Sequence, residues 1–212
     1  MADWTNSSGC TIRPYYNGGM GSPRIMYYQE STAISTAVIK VGDVVSNNTV
    51  VTTGGQRIVR APSSGGNGSN LLEVAVTSIL GVALEGSTSD GGVTGLIDDS
   101  TATPTGLTQR TRQIGVAVAD GLTEFIGYFK SGGAGTTPRA QSSLVGLGRP
   151  IIFDSTLQRF FVASTNSTAA GNAVLITGFP SDVLGDSGGV PVIFKFLSSN
   201  INPSVRVGGP TL

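Results

Sequence analysis

The sequence predicts an all-β protein whose short strands form a barrel or a sandwich, and three observations lead there. The chain carries 31 Gly and 10 Pro, together 41 of 212 residues. That is far above the usual combined share of about 12% and lacks a collagen-like period, so the chain must turn often and tightly. Short β-branched or aromatic runs alternate with Gly, Asn, Asp and Ser clusters at intervals of about 8–12 residues, the pattern of strands joined by turns. Amphipathic helical periodicity is almost absent. With 39% hydrophobic residues the chain can bury a proper core.

Taken in order, residues 1–24 show neither strand nor helix periodicity, and Gly18, Gly19, Gly21 and Pro23 surround Tyr15 and Tyr16. This reads as an extended N-terminal arm, too apolar at Trp4, Ile12, Tyr15, Tyr16 and Met20 for a purely solvated tail. Candidate strands then follow at Ile25–Gln29, Thr36–Lys40, Asp43–Val45, Thr49–Thr53, Arg57–Ala61, Leu71–Val76, Ile79–Leu84, Arg112–Val118 and Thr123–Phe129. Later ones are Ile151–Phe153, Arg159–Ala163, Ala173–Gly178 and Val190–Phe196. Gly- and Ser-rich stretches at 62–70, 86–108 and 131–141 read as surface loops, and 31–37 or 166–172 could add a helical turn. Tyr27 and Tyr28, adjacent on a strand, should point one to the core and one to solvent.

The third loop divides the chain into a first β unit at 25–130 and a second at 131–212, unless both belong to one continuous domain. An internal similarity allows two related units. Gly81 of Ile79-Leu80-Gly81-Val82 lies 12 residues before Val93, and Gly178 of Ile176-Thr177-Gly178-Phe179 lies 12 before Val190. Each copy follows a comparable lead-in, Val41-Gly42-Asp43-Val44-Val45 or Leu147-Gly148-Arg149-Pro150-Ile151. Chance similarity among Gly-rich turns is the competing reading. Either way Gly42, Gly81, Gly178, Gly188 and Gly189 read as structural turns that need positive φ or close strand approach.

Composition removes several function classes. Thirteen basic residues cancel 13 acidic ones and are scattered singly, so no basic stripe exists to neutralise phosphates and no nucleic-acid partner is expected. Charged residues make up only 12% of the chain, which leaves a Ser, Thr, Asn and Gly surface suited to close subunit contact. Cys10 is the only cysteine, so an intrachain disulfide is impossible. The first nine residues lack the charged and apolar regions of a secretory signal, and no run reaches membrane-spanning length. Folding in a cytosol and release by lysis, as for a virus, fit these features; no membrane is expected as a partner.

No catalytic constellation survives inspection. Gly185-Asp186-Ser187-Gly188-Gly189-Val190-Pro191-Val192 resembles the nucleophile loop of chymotrypsin-like proteases, but the chain has no histidine to act as base. Lys40, Lys130 or Lys195 could serve in a Ser–Lys dyad, yet none sits in such a signature, and Val190 interrupts the Gly-Gly-Pro order. Asp90, Asp98 and Asp99 lack the regular spacing and terminal Glu of a calcium loop. No Gly-rich stretch ends in the Gly-Lys-Ser/Thr of a phosphate cradle. The expectation is therefore no catalytic residue, no metal and no cofactor: not an enzyme.

One resemblance gives the binding reading a direction. Val38-Ile39-Lys40-Val41-Gly42-Asp43-Val44-Val45, followed by Ile79-Leu80-Gly81-Val82-Ala83, resembles the head decoration, or cement, proteins of tailed bacteriophages over about 50 to 60 residues. The resemblance implies a small β-barrel or β-tulip that sits on the capsid exterior of the virion after synthesis in the host cytoplasm. It also implies a homotrimer that grips the major capsid protein and clamps neighbouring shell subunits. From composition alone, Ile12, Arg13, Tyr15, Tyr16 and Arg24 are the expected partner contacts. Another virion component (tail, fibre or minor capsid protein) and a non-viral carbohydrate- or cell-surface-binding β module are the alternatives.

Overall fold

A computed structural model describes residues 11–15, 22–30, 39–47, 57–61, 63, 71–74, 78–86, 113–130, 140–165, 171–180 and 190–205. Among these residues the fold is all-β, as the sequence predicts, with two short 3-10 turns at Ser142–Leu144 and Ser198–Asn200. The strands are β1 (Arg13–Pro14), β2 (Ile25–Glu30), β3 (Val44–Asn47), β4 (Arg57–Arg60), β5 (Leu71–Glu73), β6 (Ile79–Ala83) and β7 (Gln113–Val118). They continue as β8 (Phe125–Lys130), β9 (Gly148–Arg149), β10 (Ile151–Asp154), β11 (Arg159–Ala163), β12 (Val174–Gly178) and β13 (Pro191–Phe196).

Five strands close into a barrel in the order β2-β4-β3-β6-β7, with β7 returning antiparallel to β2. The other eight form a sheet in the order β5-β10-β11-β8-β13-β12-β9, with β1 alongside β8. One apolar core joins the two: Ile58, Val82 and Val116 of the barrel belong to the same buried cluster as Phe125, Phe194 and Phe196 of the sheet. The three phenylalanines interlock, Phe125 and Phe194 each meeting Phe196 edge-on at 5.2 and 5.6 Å between centroids. Ile201, beyond β13, pairs with Ile79 of β6, and the Asn202 N–H donates to the Ile79 carbonyl at 2.8 Å. The barrel is thereby tied to the end of the chain.

Strand membership does not follow the division at 130/131. β8 lies in the middle of the large sheet, between β11 and β13, and β5 forms one of its edges. Both fall within 25–130, yet both pair with strands of the second half. The physical reason is that a β-rich run announces a strand locally, whereas its hydrogen-bonding neighbour is chosen by long-range packing.

Where it is described, the N-terminal segment lies extended against the large sheet. Arg13 and Pro14 pair with Ile126 and Phe125, and the Tyr15 N–H donates to the Glu124 carbonyl at 2.8 Å. Ile12 is buried in the core. Two glycines make room for it. A Cβ on Gly127 would lie 3.2 Å from Ile12 Cγ1, and one on Gly42 would lie 2.5 Å from Thr11 Cβ. Gly42 also holds φ at +86°, a left-handed turn that glycine adopts without steric cost.

The repeated glycines have different surroundings. In both copies the lead-in pairs antiparallel with the glycine strand, β3 with β6 and β9 with β12. At Gly81 a Cβ would fall 2.0 Å from the Ala117 carbonyl oxygen, so close approach of β7 demands glycine. Gly178 has nothing within 4 Å of that position and no positive φ; it lies at a register shift of the β12–β13 pair. The expectation that Gly178 needs positive φ or close approach is corrected, because the irregular pairing leaves open space there. Gly188 and Gly189 lie outside the described residues.

Candidate partner-binding surface

Surface apolar residues come from three parts of the chain: strand β2, the β7–β8 connection and the N-terminal segment. Strand β2 alternates: Tyr28 turns inward and is only 5% exposed, while Ile25 and Tyr27 stand outward at 46% and 56%. One tyrosine in and one out is the arrangement the sequence predicts. The Tyr28 hydroxyl donates to Met26 Sδ at 3.4 Å, and burial raises its pKa against the opposing charge of Arg24. Tyr27 is paired with Gly115 on β7, whose missing side chain leaves the ring room: a Cβ there would sit 3.4 Å from Tyr27 Cε1.

The β7–β8 connection supplies the second part. Oδ1 of Asp120 accepts the N–H groups of Leu122 and Thr123 at 2.9 and 2.8 Å, a local Asx-type turn. This turn holds Leu122 out at 53% exposure. The N-terminal segment supplies the third, since Tyr15, Pro23 and Leu122 line an open cleft of about 260 Å³ together with Asp120, Thr123 and Glu124. The Arg24 carbonyl accepts the Val118 N–H at 2.8 Å, fixing this stretch to the end of β7.

The charges on this surface are unequal. Arg13 and Arg24 are exposed. Of the nearby acids, Asp120 is buried and bonded within its turn, and Glu124 lies 4.0 Å from Lys195. A separate cleft of about 300 Å³ lies between the Lys40–Asp43 turn and Leu157–Phe160, and among its lining residues Arg159 has a buried Nη1 without a hydrogen-bond partner among the described residues. Exposed apolar and aromatic side chains together with exposed arginines match the composition of protein-binding surfaces.

Of the predicted contacts, Tyr15 lines the cleft and Arg13 and Arg24 are exposed two and one residues from its lining residues Tyr15 and Pro23, while Ile12 is corrected from partner contact to core residue. Its apolar side chain is satisfied in the core, against Gly127, while Gly42 lies against its backbone. Tyr16 lies outside the described residues, as do Ser187 and the aspartates at 90, 98 and 99. Two lysines considered as a base are engaged otherwise: Lys130 contacts Asp154 and Lys195 faces Glu124. Leu122 was not foreseen; the Asp120-Gly121 turn signal ahead of it could have marked it as exposed. No family model, no curated protein and no solved structure matches this chain.

Proposed function

We propose that the chain is a non-catalytic structural virion protein that binds the outer surface of a tailed-phage capsid and clamps neighbouring shell subunits, acting as a homotrimer. The observation that carries this reading is an open cleft that seats Tyr15 beside the exposed Leu122, with Arg13, Arg24, Ile25 and Tyr27 exposed on the adjoining segments of chain. Six such residues offer aromatic anchors, an apolar tip and two cations to a shell patch that is apolar with acidic edges. The all-β fold supports the same reading. The two segments that resemble decoration proteins are neighbours in the barrel, Val44 opposite Val82 and Val45 opposite Gly81.

Binding is then the whole mechanism. A protein that binds only the assembled lattice stabilises it by mass action, and three linked copies add avidity without any new contact. The test is quantitative mass spectrometry of gradient-purified particles from the chain's source. A copy number equal to that of the major shell protein, or a simple fraction of it, supports a decoration role. A few copies per particle would point to a tail or fibre part, and absence from particles would favour a free-standing binding module.

A further inference from the structure

One face of the large sheet gathers Lys130, Arg159, Asp154 and Glu73 around a small apolar cluster. Glu73 stands opposite Ile152 and Leu71 opposite Asp154; Ile152 faces Phe161 on β11, and Ala163 faces Lys130 on β8. Side chains that alternate along each strand therefore share this face. Ile152, Phe161 and Ala163 form its apolar floor, with Leu71 and Tyr128 packed against them.

Lys130 crosses the width of β11 to reach Asp154. Its ammonium lies 5.0 Å from the centre of the Phe161 ring and contacts Oδ2 of Asp154. The Asp154 side chain is only 4% exposed. Its other oxygen, Oδ1, accepts the N–H groups of Thr156 and Leu157 at 2.8 and 2.9 Å. The carboxyl group is thus oriented as an acyl donor, with one oxygen held by two backbone donors and the other side turned to an amine. Glu73, also buried, is the diagonal neighbour of Asp154 across the β5–β10 pair, about 7–8 Å away between Cα atoms and within reach of a long side chain.

We propose that Lys130 and Asp154 condense into an intramolecular isopeptide bond after folding, with Glu73 carrying the proton. A proton passes from the ammonium to the carboxylate, leaving a neutral amine beside a neutral acid. Nζ attacks Cγ, and the developing negative charge falls on Oδ1 in front of the Thr156 and Leu157 N–H groups. Glu73 takes a proton from Nζ and returns it to Oδ2. The Cγ–N bond forms, the Cγ–Oδ2 bond breaks, and Oδ2 departs as water with one proton from the amine and one from the acid. No oxidant, reductant or other reactant is required.

Two physical effects favour the step. Holding amine and carboxyl in contact removes the entropic barrier that makes such a condensation slow between free molecules. The amide also replaces two charges, one of them deeply buried, with a neutral group that the same backbone donors can satisfy. In the unlinked pair burial pushes the Asp154 carboxyl toward its neutral form, whereas hydrogen bonds from Lys130, Leu157 and Thr156 and the Lys130 charge hold its pKa below the ordinary value. The reaction accordingly starts from the ion pair. Its product staples β8 to β10 across β11, within the sheet that packs on the barrel.

The test is the intact mass of the purified full chain under denaturing conditions. The expected mass is one water below that of the linear chain calculated from its sequence. Because a linked Lys130 resists trypsin, digestion should yield a branched peptide joining 113–139 to 140–159. That branch separates the bond from simple dehydration of an aspartate. Lys130→Arg keeps a cation over the ring and beside Asp154 but should retain the full mass, and Glu73→Gln should slow or abolish the loss of water. A wild-type chain at full mass, cleaved normally after Lys130, would leave only an ion pair and overturn the proposal. Water loss in Glu73→Gln as fast as in wild type would overturn the role of Glu73.

Discussion

Replacing Gly81 with alanine tests whether the barrel depends on a bare backbone at that position. The new Cβ would lie 2.0 Å from the Ala117 carbonyl oxygen and 2.9 Å from both its carbonyl carbon and Val116 Cγ1. Two of these three obstacles are backbone, so no side chain can rotate away. Relief requires β6 and β7 to part by about 1.4 Å to restore ordinary van der Waals contact. The flanking bonds, Ala119 N–H to the Leu80 carbonyl and Leu84 N–H to the Gly115 carbonyl, are each 2.8 Å long and would stretch beyond bonding distance. Overpacking typically costs about 1–3 kcal/mol, and two weakened bonds add about 1 kcal/mol each. The expected loss is about 3–5 kcal/mol, or a Tm lower by about 6–20 °C for a chain of this size. Gly178→Ala is the matched control, since open space surrounds it and φ is ordinary; its effect should stay within about 1 kcal/mol. Urea denaturation followed by circular dichroism reads both variants. If Gly81→Ala unfolds at the wild-type urea concentration, the close-approach argument is wrong.

Other predictions concern the core, the buried tyrosine and the surface. Ile12→Ala should lose about 2–5 kcal/mol in the same denaturation assay, because the side chain is buried in the core; an unchanged midpoint would return Ile12 to the role of partner contact. The Tyr28 pKa is raised by burial, so the neutral phenol contributes stability that is present in full below the ordinary tyrosine pKa and is lost as pH rises through the higher folded pKa. Denaturation midpoints measured from pH 9 upward should therefore fall more steeply for wild type than for Tyr28→Phe, and equal slopes would contradict the assignment. Tyr27→Ala combined with Leu122→Ala should weaken particle binding by about tenfold or more while leaving Tm nearly unchanged, measured by co-sedimentation with stripped particles. Equal binding would place the contact surface elsewhere.

Much of the strand inventory could be read from local sequence. Arg159–Ala163 matches the predicted bounds, and Ile25–Glu30, Ile79–Ala83, Gln113–Val118 and Pro191–Phe196 differ from them by one residue. β-branched and aromatic runs between turn residues identify strands because both preferences act over a few residues. The two-residue strands Arg13–Pro14 and Gly148–Arg149 escaped notice for the same reason. Neither has a run of its own, and each exists because a neighbour, β8 or β12, offers it an edge. On the partner surface, composition could mark Arg13, Tyr15 and Arg24 as sticky, and alternation could split Tyr27 from Tyr28, but nothing local could seat Leu122 beside Tyr15.

The sequence alone determined an all-β chain, its principal strands and turns, and the glycine requirements at Gly42 and Gly81. Tertiary structure decided that Ile12 enters the core, that Gly178 is unconstrained, and that β5 and β8 leave the barrel strands around them to join the large sheet. It also decided that Lys130 meets Asp154 over the ring of Phe161. Turn chemistry and alternation are properties of adjacent residues. Pairing and burial are settled by which distant surfaces exclude water best together, and a choice among distant surfaces leaves no pattern in any one stretch of chain.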